Sequence, residues 1–391
     1  MLNMTSRVCF ALVLLMVVFS GCLVEPEMPS EQIKRTPAGT SDSLPGPVGP
    51  DRPPLDTLQT PAPGGGVERP PGRDVPQPGD EEDPPFDDDP PSDGPLGLLA
   101  DMTAMGTLYS ANDNWWNIEV ENAPVDPGSG DIIATIESYE SSKGRLQPDF
   151  TPKFGIPYCV VDSETPLVPV VFNRSRAESD TGAPGAPAGY PIPAAAINDK
   201  RFIESGGALS GDRHLLIFDR DRRTVFELSY VEHKNGKWTA GYGAVFPVDS
   251  NYRRTEGWTS TDAAGLCVLA GLVRYDEVYG PEPIRHAIRC SIKRTDGYVW
   301  PASHAGASDD NAPPLGMRLR LKKSTNLSGY SPALQKIFQA MKTYGLIVAD
   351  RGGNMYVQGT MDARWKNSEL NPAFHSLEAS DFEVIKLGWT P

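Results

Sequence analysis

The sequence predicts a mainly β protein: an antiparallel, jelly-roll-like β-sandwich with a few peripheral helices, preceded by a disordered stalk. Segments rich in Val, Ile, Phe and Tyr recur between residues 157 and 359. Two of them alternate apolar and polar side chains, as strands with one buried face do. A long stretch dominated by proline and acidic residues precedes them. The chain therefore divides into a leader at 1–21, a linker at 22–96 and a single β-rich domain at 97–391.

The leader has the three parts of a secretory signal peptide. Residues 1–7 are polar with one positive charge, residues 8–19 are apolar, and small residues then precede Cys22. The apolar run is too short to cross a bilayer as a helix, which takes about 20 residues. The sequence therefore predicts export.

The end of the leader resembles a bacterial lipobox, although Phe19 stands where Leu or Val is usual. The resemblance implies that Cys22 is lipidated, so that the membrane is a partner and the domain lies outside the cytoplasm in the cell envelope. Leu23 after the cysteine implies the outer membrane in a host that has one. The alternative is an ordinary signal peptide with an incidental cysteine.

The linker predicts an extended spacer. Residues 23–96 hold 19 of the 39 prolines, with 16 acidic and 5 basic residues. Few apolar side chains offset the entropy of ordering, and the acids of 80–89 repel one another. A solvated spacer is a better interpretation than a cation store. Because most of the net charge of −15 lies here, the domain is only mildly acidic, and no basic face for nucleic acid is expected.

Strands account for most of the predicted domain. Residues 213–219 and 224–231 flank a polar turn and predict a hairpin. Residues 284–293 and 315–322 alternate in polarity, which predicts one solvent-facing side and antiparallel pairing. The predicted strands are residues 157–163, 167–172, 213–219, 224–231, 238–247, 284–293, 315–322, 346–349 and 354–359.

Two helices are predicted beside the strands. Ser331 and Pro332 are typical of a helix start, an apolar stripe runs through 333–344, and Gly345 ends it. A second helix is predicted at 131–142. No further proline-rich linker interrupts the domain.

Three cysteines remain after the leader: Cys159, Cys267 and Cys290. Export permits a disulfide, and three thiols allow three single pairings. Cys267–Cys290 is the favoured pair, since Cys159 lies in an apolar run and is expected to be a buried free thiol.

Several catalytic motifs are absent from the sequence. It contains no P-loop, no GxGxxG after a strand, no HExxH, no CxxC and no GxSxG. This argues against nucleotide-using enzymes, common zinc peptidases, thiol oxidoreductases and ordinary serine esterases. No cofactor, metal ion or nucleotide is therefore predicted.

Carboxylates near one another in the C-terminal half are the first catalytic candidates. Glycoside hydrolysis commonly uses one protonated and one ionised carboxyl group. Asp262, Asp276 and Glu277 could supply them, although Arg274 could instead tie its neighbours into a buried ion-pair network. Glu227 lies in the middle of a predicted strand, and the alternative for it is a solvent-facing or arginine-paired glutamate.

Histidines and aromatic residues complete the candidate site. His286 and His304 could act as acid or base because imidazole titrates near neutral pH, although His286 could also be a satisfied core residue. Sugar-binding candidates include aromatic rings, which are more often core residues. Adjacent Trp115 and Trp116 are not expected to both face inward, so one should lie at a surface or groove. The substrate-binding candidates are Trp116, Trp258, Trp300, Arg274 and Arg285.

Six segments carry a resemblance to a known family. They read GWTSTDAAGL at 257–266, RYDEV at 274–278, IRHAIR at 284–289, VWPASH at 299–304, MRLRLK at 317–322 and KTYGLIVAD at 342–350. The string resembles that of an uncharacterised family of secreted bacterial proteins, from which it departs at 351–353. The resemblance implies a secreted domain and transfers no activity.

Two functions follow from the sequence. One is a carbohydrate-active enzyme, a glycoside hydrolase or polysaccharide lyase that acts on an extracellular polysaccharide. The other is a non-catalytic envelope lipoprotein that binds a glycan or a protein. A cleft in which His286, His304 and two carboxylates meet would favour the enzyme.

Overall fold

The computed structural model describes residues 96–103, 107–110, 113–207 and 211–391. The predicted signal peptide, the lipidated Cys22 and nearly all of the predicted linker lie outside these residues. Within them, no helix has both the length and the apolar character needed to cross a membrane.

Strands dominate the described residues and helices are few, which confirms the mainly β class. In chain order the strands are β1 (Gly97–Leu98), β2 (Gln147–Asp149), β3 (Tyr158–Val161), β4 (Val170–Phe172), β5 (Leu215–Asp219), β6 (Thr224–Ser229), β7 (Glu232–Lys234), β8 (Lys237–Ala240), β9 (Tyr242–Pro247), β10 (Ile288–Ile292), β11 (Arg318–Leu321), β12 (Leu346–Arg351), β13 (Tyr356–Gln358) and β14 (Phe382–Val384).

The helices are short apart from two. They are α1 (Ser129–Ser138), α2 (Thr151–Phe154), α3 (Val268–Gly271), α4 (Tyr275–Tyr279), α5 (Pro332–Thr343) and α6 (Asn367–Phe374). Short 3₁₀ turns lie at Ala194–Ile197, Lys200–Phe202, Glu204–Gly207 and Ala379–Asp381.

The strands form three sheets, and all three are mixed. Their orders are β1-β3-β5-β6-β9, β14-β11-β12-β10-β13-β2 and β4-β8-β7. Pairs β3–β5, β10–β12, β13–β2 and β4–β8 are parallel. The antiparallel jelly-roll arrangement is therefore not confirmed. A parallel pair needs a crossover connection, and the connection from β10 to β12 contains β11 and α5.

The five-stranded sheet is buried on both faces. Phe218 and Phe246 belong to an apolar core that they share with Ile288 of the six-stranded sheet. Alternate residues such as Ile217 and Phe226 point the other way, into a second core shared with the small three-stranded sheet. The layers thus follow one another as small sheet, five-stranded sheet and six-stranded sheet.

One-sided exposure of β10 and β11 is a wrong prediction. The polar side chains of β10, Arg289 and Ser291, are only 1% and 3% exposed, and Arg318 and Arg320 of β11 are also buried. Arg320 is accommodated because it donates to backbone carbonyls and to Glu383 at 2.6 Å. Local alternation does not reveal that partners from distant segments cover the polar face.

The predicted hairpin is confirmed as β5 and β6, with Leu215 opposite Leu228 and Asp219 opposite Thr224. The Asp219 carboxylate accepts from the backbone N–H groups of Asp221 and Arg222 at 3.2 and 2.9 Å, which fixes the turn. The single strand predicted at 238–247 is instead two, β8 and β9. Gly241 separates them, and a Cβ there would lie 2.7 Å from the Tyr230 ring.

Both predicted helices are confirmed with slightly different bounds, as α5 and α1. The Ser331 hydroxyl caps α5 by accepting from the N–H of Leu334 at 3.5 Å. Pro332 occupies the first turn, where its missing N–H costs no helical hydrogen bond.

The favoured Cys267–Cys290 disulfide is wrong, because Cys159, Cys267 and Cys290 are all free thiols in the core. Burial raises the pKa of Cys290 to about 12 and moves the pKa of Cys159 and Cys267 well above the usual range. The thiolate is the reactive form of cysteine.

We therefore expect iodoacetamide to leave these three thiols unmodified in the native protein and to modify all three in guanidinium chloride without reductant. Mass spectrometry of peptides measures both states. A pair that resists alkylation until a reductant is added would show a disulfide and contradict the structure.

Candidate functional site

Arg274, Glu277 and His286 meet at the start of α4. The Glu277 carboxylate accepts from the backbone N–H of Arg274 at 2.8 Å, which caps the helix. One of its oxygens lies 3.1 Å from the Arg274 guanidinium, and both lie within 3.2 Å of His286 Nε2. Asp276 accepts from Arg274 Nε at 3.2 Å and from the N–H of Met102 at 2.8 Å.

The charges in this group are mutually satisfied. Burial alone would raise the pKa of Glu277, but Arg274, His286 and their hydrogen bonds outweigh it and lower that pKa to about 2. His286 Nδ1 lies 2.8 Å from the carbonyl of Ala287, so both ring nitrogens face acceptors. Glu277 is therefore ionised at neutral pH, and the group is the ion-pair network that the sequence left open as the alternative to a catalytic pair.

Because the pKa of Glu277 is lowered in the folded protein, its ionised carboxylate should stabilise the fold at neutral pH and lose this effect in acid. A carboxylate with a folded pKa of about 2 contributes its stability above the unfolded value, near 4.3, and loses it as pH falls through the folded value. We expect Glu277→Gln to lower the free energy of unfolding by about 3 kcal/mol at pH 7. The difference from the wild type should shrink towards pH 2.5.

Urea unfolding at pH 7 and at pH 2.5 to 4 measures this difference, with Glu282→Gln as the control because Glu282 is exposed near the same group. A difference between wild type and Glu277→Gln that is constant with pH would contradict the assignment.

A cleft of about 610 Å³ opens beside this network, within the size range of small-molecule sites. It brings together four of the predicted site residues: Arg274, Glu277, Arg285 and His286. The remaining lining is mostly polar and includes one aromatic ring. These other lining residues are Thr103, Thr107, Asn117, Glu119, Glu282, Pro283 and Tyr344.

The predicted tryptophans do not line this cleft. Trp115 and Trp116 are only 5% and 0% exposed, so the expectation that one would face a surface or groove is wrong. Gly271 makes room for Trp116, since a Cβ there would lie 2.8 Å from its ring. Trp258 packs near the Arg254 guanidinium, and Trp300 lines a separate small pocket.

His304 is also outside the cleft. Its Nδ1 lies 2.9 Å from the carbonyl of Ala263, in the loop after the Trp300 segment. The meeting of His286, His304 and two carboxylates, which would have favoured catalysis at this cleft, does not occur there.

The sequence alternative for Glu227 was a solvent-facing or arginine-paired glutamate. The structure shows neither. Glu227 is 0% exposed, and its carboxylate accepts from the Thr261 hydroxyl at 2.9 Å. It also accepts from the N–H groups of Val268 and Leu269 at 3.1 and 2.9 Å and from the Cys267 thiol at 3.3 Å. These contacts place Glu227 at the start of α3 as an acceptor for donors that would otherwise be unpaired.

A second polar group forms between the two large sheets. Arg289 of β10 lies at its centre, and four carboxyl groups and one imidazole interact with that guanidinium or with each other. We call the group the acid cluster. Its members are Asp149 at the end of β2, Glu204 in a 3₁₀ turn, His214 before β5, Asp262 before α3, Arg289 in β10 and Asp350 in β12.

Arg289 is incompletely paired. It is 1% exposed, and its Nη2 lies 3.5 Å from Asp262 and 3.6 Å from Asp350, both long contacts. Its Nε is buried and has no hydrogen-bond partner among the described residues. A buried donor without a partner is costly, so the centre of the cluster has capacity for another acceptor.

Glu204 and His214 form an ion pair within the cluster. His214 Nδ1 lies 2.7 Å from Glu204, and its Nε2 lies 2.9 Å from the carbonyl of Thr261. Burial lowers the pKa of His214, but Glu204 outweighs burial and raises that pKa to about 9. The pKa of Glu204 is lowered by His214 despite the opposing effect of burial.

The pKa values of Asp149 and Asp262 are raised, in contrast to that of Glu204. Burial raises the pKa of each to about 7, and Arg289 opposes the rise in both. Asp262 has a fully buried side chain that accepts from the N–H groups of Ala264 and Leu266 at 3.0 Å. Asp149 is only half-buried, and no hydrogen bond engages its carboxyl group among the described residues. Asp149 is therefore the accessible acid of the two.

Sequence reasoning selected only Asp262 from this cluster as a candidate site residue. Asp149, Glu204 and Asp350 come from three distant segments, and no spacing connects them. One usable signal was Asp350, a charged residue that directly follows the apolar run 346–349. Among the residues that the structure describes, no three His, Cys, Asp or Glu side chains are placed to hold a metal ion.

Comparison of the chain with protein-family models, with curated proteins and with solved structures found no match.

Proposed function

We propose that this chain is an exported, lipid-anchored glycoside hydrolase whose acid–base chemistry takes place in the acid cluster. The observation that carries the proposal is the pair of partly exposed carboxyl groups, Asp149 and Glu204, beside the incompletely paired Arg289. Hydrolysis of a glycosidic bond commonly needs one protonated and one ionised carboxyl group. Burial and the nearby Glu204 raise the pKa of Asp149, whereas the pKa of Glu204 itself is lowered.

The roles follow from these shifts. With a pKa of about 7, Asp149 can hold a proton near neutral pH and donate it to the leaving oxygen of the sugar bond. Glu204, kept ionised by His214, would act as base or nucleophile on the other side. Arg289 and His214 would position the two carboxyl groups. Glu277 and His286 are assigned a structural role in this proposal, because their charges are already paired.

The cellular setting is part of the same proposal. Cys22 would carry the lipid, and the acidic, proline-rich linker would hold the domain away from the membrane. An extracellular polysaccharide would then be the substrate.

A screen of reducing ends tests this function. The mature chain is incubated with a panel of neutral and acidic polysaccharides, and the double variant Asp149→Asn/Glu204→Gln serves as the blank. We expect the wild type to release reducing ends from at least one member while the blank releases none. Equal release by both proteins, or none by the wild type on any member, would count against hydrolysis at this cluster.

The non-catalytic alternative has one observation in its favour. The cleft beside Arg274 and His286 is large and polar, yet Glu277 in its wall cannot serve as an acid with a pKa of about 2. Such a cleft suits binding of a polar ligand without turnover. A glycan array that shows affinity for an oligosaccharide that the protein leaves intact would favour this alternative.

A further inference from the structure

A small pocket lies between residues 299–301, the start of β11 and the segment 385–389. Its lining includes Trp300, Arg318, Lys386 and Trp389. Gly316 lets the first two segments approach, because it has φ +80° and a Cβ there would collide with the Val299 carbonyl oxygen. The pocket is separate from both the cleft and the acid cluster, which share no lining residue with it.

Arg318 is a buried cation without a counter-ion. It is 8% exposed, and its guanidinium donates to the carbonyls of Trp115 and Ile118. No carboxylate pairs with it among the described residues, and burial lowers its pKa to about 9, so it stays mostly charged at neutral pH. Arg320, two residues along the same strand, pairs with Glu383 at 2.6 Å. A buried unpaired charge is unfavourable, which makes Arg318 the exception on this strand.

The rest of the pocket has the character that an anionic sugar needs. Lys386 is exposed and makes no ion pair within the described part of the chain, and no Asp or Glu lines the pocket. The two positive charges therefore face no negative charge of the protein there. Trp300 and Trp389 are both partly exposed at its wall, and such rings present flat apolar surfaces to a ligand.

We propose that this pocket binds the carboxylate of an acidic sugar residue, with the sugar ring resting against Trp389. The pocket is partly open, and its space of about 20 Å³ has room for one water-sized group, such as a carboxylate oxygen, and not for a whole ring. The planar guanidinium of Arg318 matches a planar carboxylate in shape. The inference takes a polysaccharide substrate from the proposed function, on which it rests. It narrows that substrate to polysaccharides that contain uronic acids.

Binding is measured by calorimetry on the Asp149→Asn variant of the mature chain, so that hydrolysis does not consume the ligand. The probes are oligogalacturonate and the matched neutral galactose oligomer. We expect the acidic probe to bind more tightly, with an affinity that falls as NaCl rises. Lys386→Met should weaken it about tenfold, since a charge-assisted contact is worth about that factor, and Trp389→Ala should weaken it by a similar factor because the sugar ring loses its flat apolar support. Lys237→Met, at an exposed lysine on β8, is the control and should leave it unchanged.

Arg318→Met is a further variant, read only if circular dichroism shows the native fold, and it should abolish the preference for the acidic probe. Equal binding of both probes, or unchanged affinity in Lys386→Met and Trp389→Ala, would overturn the inference. Equally tight binding of a sulfated galactose oligomer would overturn the assignment to a carboxylate. Specific acidic binding without turnover by the wild type would leave this inference standing while removing the proposed hydrolysis.

Discussion

Glu227→Ala is expected to lower the free energy of unfolding by about 4 kcal/mol, the largest effect on stability that we predict. The carboxylate is completely buried and accepts from the Thr261 hydroxyl, the Cys267 thiol and two backbone N–H groups at the start of α3. Alanine would leave these donors without an acceptor in a site that water does not reach. Each buried unsatisfied donor costs about 1–3 kcal/mol, so several together make the change severe.

Urea unfolding followed by circular dichroism at pH 7 measures this effect. Glu232→Ala is the matched control, because Glu232 lies on β7, the next strand along the chain, and is exposed, and its cost should stay below about 0.5 kcal/mol. If Glu227→Ala does not fold, Glu227→Gln keeps the shape and one acceptor oxygen and should still cost about 2 kcal/mol. A loss under about 1 kcal/mol in both variants would show that the start of α3 does not depend on this carboxylate.

Glu227 also shows what the sequence could and could not predict. The strand that contains it was placed correctly, because β-branched and aromatic residues identify strands locally. Its burial was not, because a glutamate in an alternating strand ordinarily faces water. The start of α3 and the loop before it, far along the chain, supply the donors that make burial tolerable. Arg289 is a similar case, since β10 was identified but the layer covering its polar face was not.

The candidate site residues show the same difference between what local sequence can predict and what depends on distant segments. Arg274, Glu277 and His286 were selected together because they lie close in sequence, and the structure does bring them together. The pairing of β2 with β13 and the parallel alignment of β10 with β12 bring Asp149 and Asp350 towards Arg289, and Glu204 joins them from a separate 3₁₀ turn. No local sequence pattern specifies which strands from distant segments lie next to one another in a sheet. The acid cluster therefore became visible only with the fold.

Asp149→Asn is expected to reduce kcat/KM by about 10²–10⁴ on whichever polysaccharide the screen identifies, the range attributed to a positioned general acid. The wild-type rate should fall as pH rises through about 7, because Asp149 must be protonated to act and its pKa is raised to about 7 by burial. The rate should fall again in acid as Glu204, whose pKa is lowered, becomes protonated. The variant has no proton to lose at this position, so its residual activity should lack the decline near pH 7.

A measurement of stability distinguishes loss of the catalytic acid from a general destabilisation of the Asp149→Asn variant. A carboxyl group whose folded pKa is raised binds protons more tightly in the native state, so it destabilises the protein as pH rises from about 4 to 7. The substituted amide carries no charge to desolvate, so the Asp149→Asn variant should be more stable than the wild type at pH 8 while being nearly inactive. Asp310→Asn, at an exposed loop position, is the control and should change neither property.

Activity within about threefold of wild type in Asp149→Asn, or an unchanged decline near pH 7, would show that Asp149 is not the general acid. An inactive variant that is also less stable than the wild type would instead indicate that Asp149 supports the cluster as an ionised group.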